Sequence, residues 1–263
     1  MKEIYVLKHT HVESNSQIAQ GTVKPTTLQI LNLTYALGMD IGLRCRPGSL
    51  FYDGYDEQLV AGAEDYLREV RKYEGAVGGF LKLGMRDMLR QRHLGEFQYL
   101  WSMLLYGSLQ DAGVLISLKP TDISFRKFRK EIGPRLFTEW CLQTGTDPQS
   151  VTRVQFENEI MPRENKYRDD YIHQQIKSLG AEKNLLLIGA AHPLESLVAD
   201  PEFRTYVIEV EHVEGQAFSI SGTVPKDLSD IIGRVQTGDN DLSPFLGLGY
   251  TARLEGQLEF FPK

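Results

Sequence analysis

Apolar positions along this chain fall into two kinds of run. Ile4–Leu7 and Leu185–Ile188 are short and continuous, and each is closed by a polar or glycine turn: Lys8-His9-Thr10-His11 after the first, Gly189-Ala190-Ala191-His192-Pro193 after the second. Runs of this kind suit strands buried on both faces, in a sheet covered by helices. Similar runs predict strands at Ile41–Cys45, Val114–Leu118, Arg153–Phe156, Tyr206–Val210 and Ala217–Ile220. The second kind has helical spacing. It places Leu59, Ala63, Tyr66, Leu67 and Val70 on one stripe of Glu57–Lys72, and recurs at Phe97–Leu109, Ile123–Ile132 and Arg163–Leu179. Thr26–Leu37 also reads as helix.

The alternation predicts a single α/β domain with a central, mainly parallel or mixed sheet flanked by helices. Residues 55–145 read as a mostly helical insertion or cap with one strand inside it. Residues 234–263 form a tail, polar through Thr237–Asp241 and aromatic at Phe260-Phe261, which fits a closing hairpin or a contact that builds an oligomer. Gly75, Gly78 and Gly79 lack the spacing of a phosphate or dinucleotide loop and read as a helix break.

Composition narrows the function. The 263 residues are 41% hydrophobic, which excludes wholesale disorder, and the net charge of −6 supplies no basic field for nucleic acid. No apolar run approaches the ~20 residues that span a bilayer, and the N-terminal run is too short for a signal peptide. Cys45 and Cys141 are too few for a disulfide framework and suit a reducing compartment. The expectation is a cytoplasmic protein acting on a small-molecule or peptide substrate, without nucleic-acid or membrane partners.

Candidate chemistry gathers at strand ends. Of six histidines, His9 and His11 follow the first strand and His192 follows the Leu185–Ile188 strand. In open parallel sheets, ligands bind beyond the carboxyl ends of the strands. His11 and His192 therefore face one cleft if their strands are parallel neighbours. Arg168, Ile172, Gln175 and Leu179 share a helical stripe that ends at Gly180. Twelve residues of helix cover ~18 Å and the eight from Asn184 to His192 at most ~26 Å, so a helix and a returning strand bring Arg168 level with His192. Arg168 either aims at an anion or site carboxylate, or pairs on the surface with Asp169, Asp170 or Glu164. Glu13, Glu157, Glu159 and Glu164 are the carboxylates in range, Glu157 because it follows the Arg153–Phe156 run. His11, His192 and Glu157 together make a ligand set for a divalent transition metal such as Mn, Co or Zn, whose bound water would be a nucleophile.

Two stretches carry a resemblance. Tyr5-Val6-Leu7-Lys8-His9-Thr10-His11-Val12 is similar to the opening strand and "GTxHV" turn of the TraB/TIKI family, relatives of the erythromycin esterases and the ChaN-like proteins. Tyr167–Ile172 followed by Leu187-Ile188-Gly189-Ala190-Ala191-His192 resembles that family's "RNxxM" helix and "VVGAGH" strand and turn. The resemblance implies a metal-assisted hydrolase in which His11 and His192 are site histidines and Arg168 the helix arginine. Lys8 stands where the family has a glycine, and Asp40–Cys45 lacks the acid of its "VELD"-like strand.

Val6–Asn15, with Gln20-Gly21 and Pro25-Thr26-Thr27, resembles the histidine-phosphatase opening instead. That reading makes His9 the phosphoryl acceptor and His192 the second histidine, with Lys8 in place of the first arginine. A third alternative is a non-catalytic descendant that binds a ligand or a protein partner.

Overall fold

The structure is a computed structural model that describes residues 1–9, 34, 37–71, 97–190, 192–211, 219–222, 250–255 and 257–262. Its centre is a six-stranded sheet built from β1 (Lys2–His9), β2 (Ser49–Tyr52), β3 (Ser117–Lys119), β4 (Lys183–Gly189), β5 (Phe203–Glu211) and β6 (Ser219–Gly222). The order is β3-β2-β4-β1-β5-β6, with β1 to β5 all parallel and β6 antiparallel to β5. This is the α/β architecture that the continuous apolar runs predict.

Alternation along each strand divides the core into two layers. Tyr5, Leu7, Leu50, Tyr52, Leu185 and Leu187 face one way, against a helix at residues 37–45 (α1) and α4 (Phe97–Asp111), the latter following α2 (Glu57–Ala61) and α3 (Ala63–Arg71). Ile4, Val6, Phe51, Leu186 and Ile188 face the other way. They meet Ile172 and Ile176 of α6 (Met161–Leu179), which is preceded by α5 (Gly133–Thr144), and Leu197 of α7 (Glu195–Ala199). Strands apolar on both faces are thus sandwiched between helices. Lys2 Nζ donates to the carbonyls of Lys177 and Gly180, both at 3.0 Å, and so caps the C-terminus of α6 from the start of β1.

Several expectations change. Ile41–Cys45 is helical, because Gly38 and Gly42, four apart, let α1 lie directly against Leu105 and Leu109 of α4. Arg153–Phe156 is helical too: Thr152 and Gln155 form a capping box that starts a helix, which runs through a π-turn at Phe156–Ile160 into α6. Glu157 is therefore a helical residue, exposed and paired with Arg153 at 2.7 Å, rather than a strand-end carboxylate. Glu57–Lys72 breaks at Gly62 into α2 and α3. Ser49–Tyr52 is a strand with no counterpart among the apolar runs. The segment 55–145 contributes β3 to the main sheet, so the described helices α2, α3 and α4 lie in the crossover between β2 and β3. In the tail, Tyr250–Glu255 and Gln257–Pro262 pair as an antiparallel hairpin. Most of Thr26–Leu37 and the Gly75–Gly79 cluster lie outside the described residues, and none of the helices among the described residues is long and apolar enough to cross a membrane.

A Cβ on Gly42 would lie 2.1 Å from Leu109 Cδ2, and Leu109 is fully buried. Gly42→Ala is expected to destabilise the protein by about 1–2 kcal/mol despite the ~1 kcal/mol helix preference of alanine. In a Leu109→Ala background the same change should become stabilising, with urea midpoints as the measurement.

Candidate functional site

The carboxyl ends of β2, β3 and β4 each deliver one polar side chain. Asp53 follows β2, with its amide donating to the Leu187 carbonyl of β4 at 2.9 Å. Asp122 follows β3, and the backbone amide of Ile123 donates to its Oδ1 at 2.7 Å. His192 follows β4 in a turn closed by its own amide on the Gly189 carbonyl. Helix α6 adds Arg168 and Asp169, adjacent in sequence but used differently. Asp169 lies on the buried stripe with Ile172 and Ile176, and Arg168 sits beside it, so the buried stripe shares Ile172 with the predicted one but runs through Asp169 and Ile176 in place of Arg168, Gln175 and Leu179.

These five residues form one hydrogen-bonded unit. His192 Nδ1 is bound to Asp169 Oδ1, while His192 Nε2 lies 3.3 Å from Asp53 Oδ2. The second oxygen of Asp169 accepts from the Leu194 amide at 3.3 Å, and Leu194 is held in the left-handed region at φ 54°. The strained turn and the carboxylate together set the ring's direction. Asp53 Oδ1 accepts from Arg168 Nη2 at 2.7 Å. Arg168 also binds Asp122, through Nη2 to Oδ2 and through Nε to Oδ2 at 3.1 Å. Arg168 and His192 thus meet at the two oxygens of Asp53.

Burial makes these contacts strong. Four of the five side chains are at most 7% exposed; Arg168, at 27%, is the member that faces solvent. Burial opposes the charge on His192, yet the hydrogen bonds to Asp169 and Asp53 outweigh it and raise its pKa to about 9. Burial raises the Asp122 carboxyl, with Arg168 opposing. Burial also works against the Arg168 cation, but Asp122 and Asp53 more than compensate and push its pKa above the ordinary value. Nearby, burial raises the Glu164 carboxyl against the pull of Arg168. The unit therefore holds three carboxylates with a guanidinium and an imidazolium, an arrangement suited to moving protons and stabilising an oxyanion.

Other expected site residues stand as follows. His9 ends β1 in register with Gly189 and Val210, which puts its backbone at the same sheet edge; its side chain and all of His11 and Glu13 lie outside the described residues. Glu159 accepts from Trp140 Nε1 at 3.3 Å in a helix-packing contact. Among the described residues no group of three His, Cys, Asp or Glu side chains is arranged to hold a metal ion. Both ring nitrogens of His192 face carboxylates, and Arg168 binds Asp53 and Asp122 together. The described residues do not fit a metal centre.

The sequence pattern singles out neither Asp53 nor Asp122, and offers Asp169 only as one of three surface partners in one of the two readings of Arg168. Asp53 and Asp122 each lie within a few residues of a strand end, a signal applied to Glu157 instead. Asp169 stands three residues before Ile172 and seven before Ile176, on a stripe that is otherwise apolar.

The folded-state pKa of His192 lies above its ordinary 6.5, so its stabilising contribution is complete below pH 6.5 and is lost as pH rises through 9. The urea midpoint should fall between pH 7 and 10 by more in the native sequence than in His192→Gln. In an NMR titration, Asp169→Asn should bring the imidazole midpoint down towards 6.5.

No family model matches this chain, and neither the curated proteins nor the solved structures contain a match.

Proposed function

We propose that the chain is a hydrolase of the TraB/TIKI and erythromycin-esterase-like group, with His192, Asp53 and Arg168 at its reacting centre. The observation that carries this reading is one buried histidine with a carboxylate at each ring nitrogen, the outer carboxylate being shared with a partly exposed arginine. Asp53, directly after the strand Ser49–Tyr52, supplies an acidic side chain at the end of a strand beside β4.

In this reading Asp53 accepts a proton from water as the water oxygen bonds to the substrate's acyl carbon. Arg168 balances the charge that develops on the acyl oxygen. His192, an imidazolium at neutral pH and held in line by Asp169, donates its Nε2 proton to the leaving group as the acyl bond breaks. The proton taken by Asp53 then crosses the 3.3 Å to Nε2 and restores both groups. Water and substrate become acid and alcohol or amine with no other reactant. Asp122 keeps Arg168 aimed. No step is routed through a metal, because the described residues do not fit one.

The charge balance favours this over the phosphotransfer reading. A phosphate dianion would meet three carboxylates and one arginine already committed to two of them. The small number of thiols fits a cytoplasmic setting.

A panel of carboxylic esters and peptides tests the proposal. Turnover of the best substrate should fall by about 10²–10⁴ in His192→Ala and in Asp53→Asn. It should hold up to about pH 9 and decline above it as His192 loses its proton. Full turnover in His192→Ala, or activity confined to phosphomonoesters and lost in His9→Ala, would refute it.

A further inference from the structure

We infer that Thr121 is a positioning residue for the reacting centre, acting through Asp53, Asp122 and Arg168. The inference rests on the assignment of those residues to the site, and its test does not depend on knowing a substrate.

β3 is a three-residue strand, joined to β2 by the pairs Ser49–Ser117, Leu50–Leu118 and Phe51–Lys119 and to no other strand in the sheet order. Pairing ends there, yet the two carboxylates that grip Arg168 come from the chain beyond it, Asp53 after β2 and Asp122 after β3. A short clasp continues the junction. Thr121 is fully buried, and its hydroxyl accepts from the Tyr52 amide at 2.9 Å while donating to the Lys119 carbonyl at 3.1 Å. The Tyr55 carbonyl accepts from the amides of Thr121 and Asp122, at 2.7 and 3.0 Å. Tyr52 and Asp53 are consecutive, as are Thr121 and Asp122. The hydroxyl therefore ties together the residues immediately before the two carboxylates.

Threonine suits the position because one side chain must both accept and donate inside a dry junction. Valine has the same shape and can do neither. Serine can do both. β3 is the edge of the sheet, so no further strand braces this junction from outside; the backbone bonds from Tyr55 and the Thr121 hydroxyl hold it together. Without the hydroxyl only the Tyr55 backbone bonds remain, so Asp122 gains play relative to Asp53 and the guanidinium loses the fixed position of one of its two holders.

The Arg168 Nε–H donates to Asp122, so its solvent exchange reports the clamp directly. In the full-length protein, Thr121→Val should speed exchange of the Arg168 Nε–H by about tenfold or more while the β1 and β4 amides keep their protection. Thr121→Ser should stay within about twofold of the native protein. Where a substrate is in hand, kcat should follow the same order with KM little changed. If Thr121→Val does not fold, Thr121→Cys serves in its place, and its exchange should lie between serine and the unclamped limit. Unchanged Arg168 exchange in the valine or cysteine variant overturns the inference. So does equal acceleration in the serine variant, which would make the role one of packing. Loss of the clamp without any hydrolytic activity in the native protein would leave the positioning role standing and remove the proposed reaction.

Discussion

An ion taken out of water must recover its solvation from fixed partners, and this constraint shapes the whole upper edge of the sheet. Three aspartates, an arginine and a histidine are packed together with almost no solvent contact at four of them. None could be left there alone, because an uncompensated buried charge costs far more than a domain's margin of stability. Each therefore depends on the others. Asp53 is the pivot, with one oxygen serving the guanidinium and the other the imidazole.

The sheet exists in the form that makes this pairing available. Parallel strands point their carboxyl ends the same way, and a β4 inserted between β2 and β1 brings late and early parts of the chain side by side. The helices supply what the strands cannot. α6 packs on the sheet through Ile172 and Ile176, and delivers Arg168 to Asp53 and Asp169 to the ring Nδ1. Lys2 holds the far end of that helix, so the register of α6 against the sheet is fixed at both ends.

Much of the architecture was legible in the residues. Strands buried on both faces leave unbroken apolar runs, and those at Ile4–Leu7, Leu185–Ile188 and Tyr206–Val210 form three adjacent strands inside the sheet. The errors have physical causes. Ile41–Cys45 looks β-like in composition, but the Gly38 and Gly42 spacing that lets two helices touch has no signature in apolar content. Ser49–Tyr52 is too short to stand out, and it carried Asp53 out of view with it. At the site, His192 and Arg168 were visible because such residues are scarce at those positions. Their carboxylate partners were not, since aspartate is common at turns and only three-dimensional burial distinguishes Asp53, Asp122 and Asp169 from solvated neighbours.

β1 has a bearing on how the molecule is made. It sits between β4 and β5, and the side chain of Asn184 reaches the Glu3 carbonyl across 181 residues. β1 ends at His9 and its two neighbours begin at Lys183 and Phe203, so this strand is synthesised well before either of the strands it pairs with. Closure of the central sheet therefore waits for segments far apart in the chain to meet, a long-range and correspondingly slow event.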